Sequence, residues 1–287
     1  MANRNDFRER VDARYEQLSG AHRRIAEYIL ANANRAAFMT AARVGRAVGV
    51  SESTVVRFAA ALGYPGYRHL QRALQEGVRA QLTAAERLEL TEADEDAPEG
   101  VLERVLRTDM DNIRATLQDL QPEAFRRALD IIERATRVFV VGQRSAAAVS
   151  YYLSFYLSYL RPHVIPLDDA SIMFERLVDL GGSDAVVAVS FPRYSRLTYD
   201  VLKLARDRGA ARVAITDSVV SPMARIADVS LTAHTPMVSF ADSLVAPLSV
   251  ANALITALAL RRRTETQRTL EILERIWEQN SIYLLDE

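Results

Sequence analysis

The sequence contains no cysteine and few histidines. The absence of cysteine excludes disulfides, thiolate metal sites and cysteine nucleophiles. The four histidines are His22, His69, His163 and His234. They stand far apart and none belongs to an HExxH pattern. The sequence therefore predicts no metal site, and we expect no bound cofactor.

Long apolar runs are also missing. No stretch holds eighteen uninterrupted apolar residues, so the sequence predicts no membrane-spanning helix. The first residues, MANRNDFRER, lack the apolar core of a secretion signal. We expect a cytoplasmic protein with no membrane partner. The 287 residues are enough for two domains with sizeable cores.

Charged residues are unevenly distributed, although the net charge is only −1. Residues 1–80 hold thirteen arginines against seven acidic residues, whereas residues 86–99 hold seven acidic residues and one arginine. A basic segment is typical of a DNA-binding module, because contacts to phosphates supply much of the affinity for DNA. The acidic tract, with few large apolar residues, predicts a flexible linker. We therefore expect a first domain over residues 1–82, an acidic linker over 83–100 and a second domain over 101–287.

Residues 40–63, TAARVGRAVGVSESTVVRFAAALG, predict two short helices joined by a tight turn. Apolar residues recur three and four apart in both halves, and between them lie a glycine that can end one helix and a serine that can cap the next. The second helix would present a polar, partly cationic face, which suits a recognition helix in the major groove of DNA. The same pattern fits a helical hairpin with a solvated polar side. The predicted DNA-binding residues are Arg43, Arg46, Ser51, Glu52, Ser53, Thr54, Arg57 and Arg68.

The rest of the chain alternates between strand and helix patterns. Flanking helices of the first domain are predicted at 22–32 and 68–82, and two amphipathic helices at 101–120 and 122–135 open the second domain. Short β-branched runs predict strands at 138–141, 164–166, 185–189, 213–216 and 229–231. Helices are predicted at 145–160, 171–180, 198–208, 223–227, 244–262 and 265–284. Apolar strands separated by helices predict a doubly wound α/β domain with a parallel sheet covered on both faces.

Two loops of this domain carry polar side chains directly after a predicted strand. In an open parallel sheet, ligands bind beyond the carboxyl ends of the strands, where helix amino termini attract anions. Arginines in such loops add bidentate contacts to anionic groups. The pair of loops therefore favours a phosphorylated or otherwise anionic ligand, although Ser145 and Thr198 also fit as simple helix caps. The predicted ligand-binding residues are Gly142, Gln143, Arg144, Ser145, Ser190, Arg193, Ser195, Arg196 and Thr198.

The order of these segments resembles the RpiR type of bacterial transcription regulator, which joins an amino-terminal helix-turn-helix domain to a sugar isomerase (SIS) domain. The segments RRIAEYILAN and GVSESTVVRFAAALGYPGYRHLQRAL are similar to its DNA-binding part. VFVVGQRSA, AVVAVSFPRYSRLT and RGAARVAITDSVVSPMARIADVSL are similar to its SIS part. The resemblance implies an all-α helix-turn-helix domain followed by a flavodoxin-like α/β domain. Its implied partners are palindromic operator DNA, a sugar-derived anionic effector and a second copy of the chain, in a homodimer or homotetramer formed through the SIS domain.

The resemblance assigns ligand contacts to Ser145, Ser190, Ser195 and Thr198. The chain departs from the SIS pattern in two places. Gln143 and Arg144 stand where a second glycine is usual, and the second loop is longer, with Arg196 in place of a glycine. Both changes add bulk and positive charge, so we expect an effector that is smaller or more acidic than a typical hexose phosphate.

The sequence is compatible with three functional hypotheses. We predict a ligand-controlled regulator of a carbohydrate or related catabolic pathway, without catalytic residues. A phosphosugar isomerase with an accessory helical domain is the alternative, and it needs a positioned base. The nearest carboxylate is Asp200, where enzymes resembling this domain usually place a glutamate; His163 and His234 are weaker candidates, because a lone histidine is more often structural. A third hypothesis, that the first domain binds only protein, is disfavoured by the basic charge of that domain.

Overall fold

The computed structural model describes residues 2–79, 83–89, 98–236 and 239–284. The chain divides into two compact units, one formed by Met1–Val105 with Pro236–Asp242 and the other by Leu106–Thr235 with Ser243–Glu287. Below, the helical part up to residue 79 is called the head and the second unit is called the body. None of the helices in these residues combines the length and the apolar character that a membrane crossing requires.

The head is built from helices around one apolar core. Side chains that recur three and four residues apart in the sequence converge on that core, and Ile25, Val44, Val55, Phe58 and Leu70 are wholly enclosed. This arrangement buries one stripe of each helix and leaves the opposite stripe in solvent. The helices are α1 (Ala2–Arg14), α2 (Gly20–Ala31), α3 (Ala33–Ala36), α4 (Ala41–Val48), α5 (Glu52–Ala61) and α6 (Tyr67–Arg79).

Part of the predicted linker is helical. Helix α7 (Ala84–Glu89) begins with a reciprocal cap, in which Thr83 Oγ1 accepts from the amide of Glu86 at 3.2 Å and the Glu86 carboxylate accepts from the amide of Thr83 at 2.7 Å. Residues 90–97, the most acidic part of the predicted linker, lie outside the described residues. The next helix, α8, spans Pro98–Asp119. The predicted boundaries at 82 and 100 stay predictions.

The body contains a parallel sheet covered on both faces. Among the described residues the sheet has five strands in the order β2-β1-β3-β4-β5, and every neighbouring pair is parallel. This order is that of a flavodoxin-like doubly wound fold, so the predicted fold class is confirmed. The strands are β1 (Val138–Gly142), β2 (Val164–Pro166), β3 (Ala185–Val189), β4 (Ala211–Thr216) and β5 (Val229–Thr232). The helices are α9 (Pro122–Arg134), α10 (Ala147–Leu160), α11 (Arg196–Asp207), α12 (Val245–Arg261) and α13 (Arg263–Gln279).

Alternate residues of the central strands point into two separate cores. Val138 and Val140 of β1 pack into a cluster with α9, α10 and α12, whereas Phe139 and Val141 pack into a cluster with α11. Successive strand side chains point to opposite faces, so a strand covered on both faces must be apolar throughout. That requirement explains the uninterrupted apolar runs of β1 and β3.

Two predicted helices are wrong. At 171–180 the structure has only a 3-10 turn, Glu175–Leu177. There Asp169 Oδ1 accepts from the amide of Ser171 at 2.9 Å and from its hydroxyl at 2.6 Å, and this local turn competes with helix formation. At 223–227 the chain forms turns, because the segment is short and Ser221 Oγ accepts from the amide of Ala224 at 3.1 Å.

Candidate functional site

The first candidate surface is the helix-turn-helix formed by α4 and α5. Helix α4 ends at Gly49, whose φ of +73° is accessible to glycine at little cost. The turn passes so close to α4 that a Cβ on Gly45 would lie 2.7 Å from Val50 O. Ser51 then caps α5 by accepting from the amide of Thr54 at 3.3 Å. The predicted tight turn is therefore present, with the glycine and the serine in their predicted roles.

Helix α5 has a buried side and an exposed polar side. Val55 and Phe58 are wholly buried, whereas Glu52, Ser53 and Arg57 are exposed. The structure thus gathers most of the predicted DNA-binding residues at the amino-terminal half of one helix. The others stand on neighbouring helices: Arg43 half-buried and Arg46 exposed on α4, and Arg68 exposed on α6.

Three hydroxyl groups form a small cluster at the start of α5. Ser51 Oγ lies 2.9 Å from Ser53 Oγ and 2.8 Å from Thr54 Oγ1. Ser51 and Thr54 therefore hold the end of the helix in addition to any contact with a ligand. Ser53, on the exposed side, belongs to this cluster, whereas Arg57, one turn further along the same side, lies outside it.

A histidine lies behind the exposed side of α5. The ring of His22 packs edge-to-face against Phe58, with ring centroids 5.7 Å apart. Burial, and to a lesser extent the positive charge of Arg57, lower the pKa of His22 below its usual value. The lowered pKa disfavours a second positive charge beside Arg57.

One large apolar residue on the exposed side of α5 was not among the predicted contacts. Val56 lies three residues after Ser53, beside Arg57, and its side chain is 42% exposed. The prediction selected polar and cationic residues and therefore passed over an apolar one. Its phase on the helix, one position after the buried Val55, is the signal that would have found it.

The second candidate surface lies at the carboxyl ends of β1 and β3. These strands are neighbours in register, with Gly142 beside Val189. After β1 the sheet continues in one direction to β2, and from β3 it continues in the other to β4 and β5. Ligands of open α/β sheets bind at such a reversal of strand order, outside the carboxyl edge. The two loops that were predicted to bind an anion start side by side at this point.

The first loop turns sharply at Gly142. A Cβ on this residue would lie 2.7 Å from Ala146 O and 2.8 Å from Ser150 Oγ, so only glycine fits. A 3-10 turn over Arg144–Ala146 follows and leads into α10. Neither the turn nor α10 has a side-chain cap, so the alternative in which Ser145 is only a helix cap is wrong. The Ser145 side chain is exposed at the loop surface.

The second loop is tied together by its serines. Ser190 is buried, and its Oγ accepts from the amide of Ser195 at 3.1 Å. Ser195 caps α11 by accepting from the amide of Thr198 at 3.3 Å. Thr198 is therefore not the cap. Its side chain is fully buried, and within the described residues its Oγ1 has no hydrogen-bond partner.

Both loops hold an exposed arginine in the left-handed region of backbone conformation. The φ of Arg144 is +58° and that of Arg193 is +68°. This region is unfavourable for residues with a Cβ, by about 1 kcal/mol, and such residues often occur at functional sites. A third arginine, Arg196, donates from Nε to both carboxylate oxygens of Asp200, at 3.0 and 2.8 Å. The Asp200 carboxylate raises the pKa of Arg196, so this guanidinium stays charged.

The residues considered for proton transfer are engaged elsewhere or lie at another edge of the sheet. Asp200 forms the ion pair with Arg196. His163 O accepts from the amide of Val138 at the amino edge of the sheet, away from the two loops. The His234 ring is 2.6 Å from the Asp119 carboxylate. Within the described residues, no group of three or more His, Asp or Glu side chains is arranged to hold a metal.

Comparisons with known proteins agree with this two-part organisation. Residues 6–81 match the helix-turn-helix domain of the rpiR family, and residues 131–257 match the SIS domain. The HTH-type transcriptional regulator HexR of Pseudomonas aeruginosa is 26% identical over 265 residues, which covers 90% of this chain and 91% of that protein. HexR of Escherichia coli is 26% identical over 275 residues and covers 92% of this chain and 91% of its own length.

Solved structures match the body and nearly the whole chain. The sugar isomerase domain of an RpiR transcription factor from Sphaerobacter thermophilus is 36% identical, with a TM-score of 0.59, and covers 61% of this chain and 98% of that one. The NanR protein of Vibrio vulnificus, solved in complex with ManNAc-6P, shares the fold with a TM-score of 0.57 at 22% identity, over 94% of this chain and 98% of that one. The full-length relatives are transcriptional regulators, so the regulator hypothesis holds and the isomerase hypothesis does not. This chain belongs to the RpiR family of helix-turn-helix transcriptional regulators that carry an SIS domain.

Proposed function

We propose that α5 enters the major groove of operator DNA and that a phosphosugar or other anionic sugar derivative, bound between the two loops of the body, controls this binding. The proposal rests mainly on one observation: the exposed side of α5 carries Ser53 and Arg57, while Val55 and Phe58 hold the other side in the core. A helix so anchored can insert its polar side into a groove without loss of packing. The regulated genes would belong to a carbohydrate or related catabolic pathway.

The electrostatics of the head support DNA as its partner. Thirteen arginines against seven acidic residues lie in the first 80 positions. The exposed Arg46 and Arg68 flank α5 on neighbouring helices, where they would meet phosphates beside the groove, while Arg57 would lie at the groove itself. Neutralised phosphates release counterions, so binding should weaken steeply as salt increases.

The geometry of the loops supports an anionic effector. Ser195 opens α11 and Ser145 lies on the neighbouring loop, so hydroxyl groups and a helix amino terminus surround one point of the sheet edge. Thr198 Oγ1 provides a buried hydroxyl without a partner among the described residues. Arg144 and Arg193 add two exposed positive charges, which favours an effector more acidic than a simple hexose phosphate.

An exposed apolar seam supports assembly with a second copy of the chain. On α8, Leu106, Met110, Ile113 and Leu117 follow one another four, three and four residues apart, and each is at least 40% exposed. The opposite side of the helix, at Ala115, is buried. Spacing of this kind is typical of helices that pair with each other. A homodimer or homotetramer of the body would present two heads to a palindromic operator.

The effector would control DNA binding through a difference in its affinity for two arrangements of the paired bodies. If the effector binds one arrangement of the paired bodies more tightly than another, it shifts the population of arrangements and with it the spacing of the two heads. The proposal places the regulator in the cytoplasm, where operator and effector are both accessible.

Selection of DNA by the full-length protein tests the proposal. Duplexes with a random central segment are retained on the protein, sequenced, and selected again in the presence of single phosphosugars, sugar acids or neutral sugars. We expect an enriched sequence with two related half-sites, and we expect only anionic compounds to change its retention. Failure to enrich any sequence would overturn the DNA assignment, and calorimetric titration in which neutral sugars bind best would overturn the effector assignment.

A pair of serine variants separates the effector site from the head. Ser145→Ala should weaken the response to the active compound and leave basal operator binding intact, because the side chain lies on the body loop. Ser183→Ala is a matched control, since Ser183 is also exposed but lies before β3, at the opposite edge of the sheet. An equal response of both variants to the effector would contradict the assignment of Ser145.

A further inference from the structure

The exposed side of α5 contains an apolar side chain among polar ones. Val56 is 42% exposed. Among the side chains that the structure describes between residues 7 and 75, it is the one large hydrophobic side chain that is exposed. Every other large apolar residue in that part of the head is buried or half-buried.

Val56 lies in the middle of the outward side. Ser53 precedes it by three residues, Ala60 follows it by four, and Arg57 is adjacent; all three are exposed. The buried side is formed by Val55, Phe58 and Ala59. Residues three and four apart on a helix are neighbours on its surface. Any groove that receives Ser53 and Arg57 therefore also receives Val56.

The stability of the head does not explain a valine at this position. A β-branched side chain loses rotamer freedom in a helix and is a weaker helix former than alanine or a long polar residue. Val56 also contributes nothing to the core, because its side chain points away from Phe58 and the other enclosed residues. Its presence is better explained by a contact that the isolated chain does not make.

The major groove of DNA offers an apolar partner of suitable size. The C5-methyl group of thymine is the apolar group that a base pair presents there, and apolar side chains recognise it by direct contact. We infer that Val56 contacts a thymine methyl group in each half-site and so distinguishes a T·A pair from its alternatives. This inference rests on the proposed function, in which α5 enters the major groove.

Removal of single methyl groups from the operator tests the inference. Each thymine of the selected operator is replaced in turn by deoxyuridine, which keeps the base pair and removes only the methyl group. The parent protein should lose about fourfold in affinity at one thymine of a half-site, the loss expected for one buried methyl group. Val56→Ala should bind the thymine and deoxyuridine operators equally well.

Two further variants make the result specific. Val178→Ala, a change of the same kind at an exposed valine of the body, should keep the fourfold preference. Val56→Thr keeps the shape of the side chain and one of its two methyl groups, so it should retain a preference for the thymine operator that Val56→Ala lacks. Unchanged helical circular dichroism shows that the variants are folded.

The outcomes separate this inference from the proposed function. If the parent protein binds a selected operator but its affinity does not change when any thymine is replaced by deoxyuridine, the inference is overturned and the proposed function is not. The same follows if Val56→Ala retains the fourfold preference, or if this substitution lowers the affinity for selected and unrelated DNA equally. Failure to enrich any DNA sequence would overturn both the inference and the proposed function.

Discussion

The head and the body present their candidate binding residues in different ways. In the head, Arg57 and Ser53 are exposed on a helix whose packing depends on other residues, Val55 and Phe58. In the body, Ser190 and Thr198 are 3% and 0% exposed and belong to the loop and to the protein interior at once. Substitution of these candidate binding residues should therefore leave stability nearly unchanged in the head, whereas substitution of the enclosed Ser190 and Thr198 should alter the stability of the body. Substitutions in the two parts should reveal this difference.

The largest expected effect is a loss of body stability on disruption of its buried ion pair. Arg137 donates from Nε and Nη2 to both oxygens of Asp184, at 3.0 and 2.7 Å, and the Asp184 side chain is almost wholly enclosed. Asp184→Asn should lower the free energy of unfolding of the body by about 3 kcal/mol, because Arg137 loses its enclosed charged partner and keeps only the more exposed Asp179. Trp277, the only tryptophan, lies on α13 and reports unfolding of the body by its fluorescence.

The effect of Asp184→Asn on body stability can be compared with its effect on operator binding by the head. At denaturant concentrations where the body is still folded, Asp184→Asn should bind selected DNA as the parent does in the absence of effector. Asp207→Asn, in an exposed ion pair with Arg206, is the control and should change stability by less than about 1 kcal/mol. A fall of similar size in both variants would contradict the importance of the buried pair.

The same pair predicts how body stability depends on pH. Hydrogen bonds from Arg137 hold the pKa of Asp184 below its usual value. The folded state therefore favours the ionised carboxyl, and the pair contributes fully above the pKa of an unfolded aspartate, about 3.9. The contribution is lost as the pH falls from there toward the lower pKa of the folded state. The denaturation curves of the parent and Asp184→Asn should therefore begin to approach each other below about pH 4 and should coincide below the pKa of the folded state.

The next largest expected difference is in stability, between an alanine substitution at a glycine of the body and one at a glycine of the head. Gly142→Ala should destabilise the body by about 2 kcal/mol, because the added Cβ would overlap Ala146 O and Ser150 Oγ. Gly49→Ala in the head meets no atom within 4 Å, and only its φ of +73° is unfavourable for alanine. We expect Gly49→Ala to destabilise the head by about 1 kcal/mol. Chemical denaturation measures both, with tryptophan fluorescence reporting the body and hydrogen exchange at the amides of α4 and α5 reporting the head. A reversed order would contradict the close approach at Gly142.

Arg57→Ala should separate binding from stability in the head. Loss of one cationic contact should weaken operator binding about tenfold, or about 1.4 kcal/mol, and reduce the dependence of binding on salt. The free energy of unfolding should change by less than about 0.5 kcal/mol, as is usual at exposed positions. Arg268→Ala on α13 is the matched control and should leave binding unchanged. Parent-like operator binding by Arg57→Ala at physiological salt would rule out α5 as the recognition helix.

Thr198→Val should change the stability of the body in the opposite direction. The fully buried hydroxyl has no hydrogen-bond partner within the described residues, so its replacement by a methyl group should stabilise the body by about 1 kcal/mol. The same change should weaken effector binding if that hydroxyl contacts the anion. Fluorescence-detected denaturation and calorimetric titration of one sample measure both effects. Destabilisation, or parent-like effector binding, would argue against a ligand-directed role for Thr198.

The regular elements could be predicted because local patterns determine them. Apolar residues three and four apart predicted α4 and α5, and the glycine and serine between them predicted the turn. Uninterrupted apolar runs predicted β1 and β3, since both faces of these strands are covered. The helix at 171–180 failed because a hydrogen bond from Ser171 to Asp169 competes locally with helix formation.

The details of the candidate sites depend on distant contacts and escaped prediction. Neighbouring strand ends could be expected to meet, but the left-handed backbone of Arg144 and Arg193 has no signal in residue type, because arginine rarely adopts it. Burial of Thr198 follows from packing of the whole body. Val56 had a local signal, its phase on α5, which a search for polar residues ignores.

The two loops at the sheet edge contain fixed and free positions. Ser190 and Thr198 are enclosed and Gly142 has no room for a side chain, whereas Arg144, Ser145 and Arg193 project from the surface. If these loops bind the effector as proposed, the projecting residues could be exchanged to suit a different metabolite while the enclosed ones keep the sheet edge intact. Regulators of this fold would then share a class of ligand and differ in the individual compound that they bind.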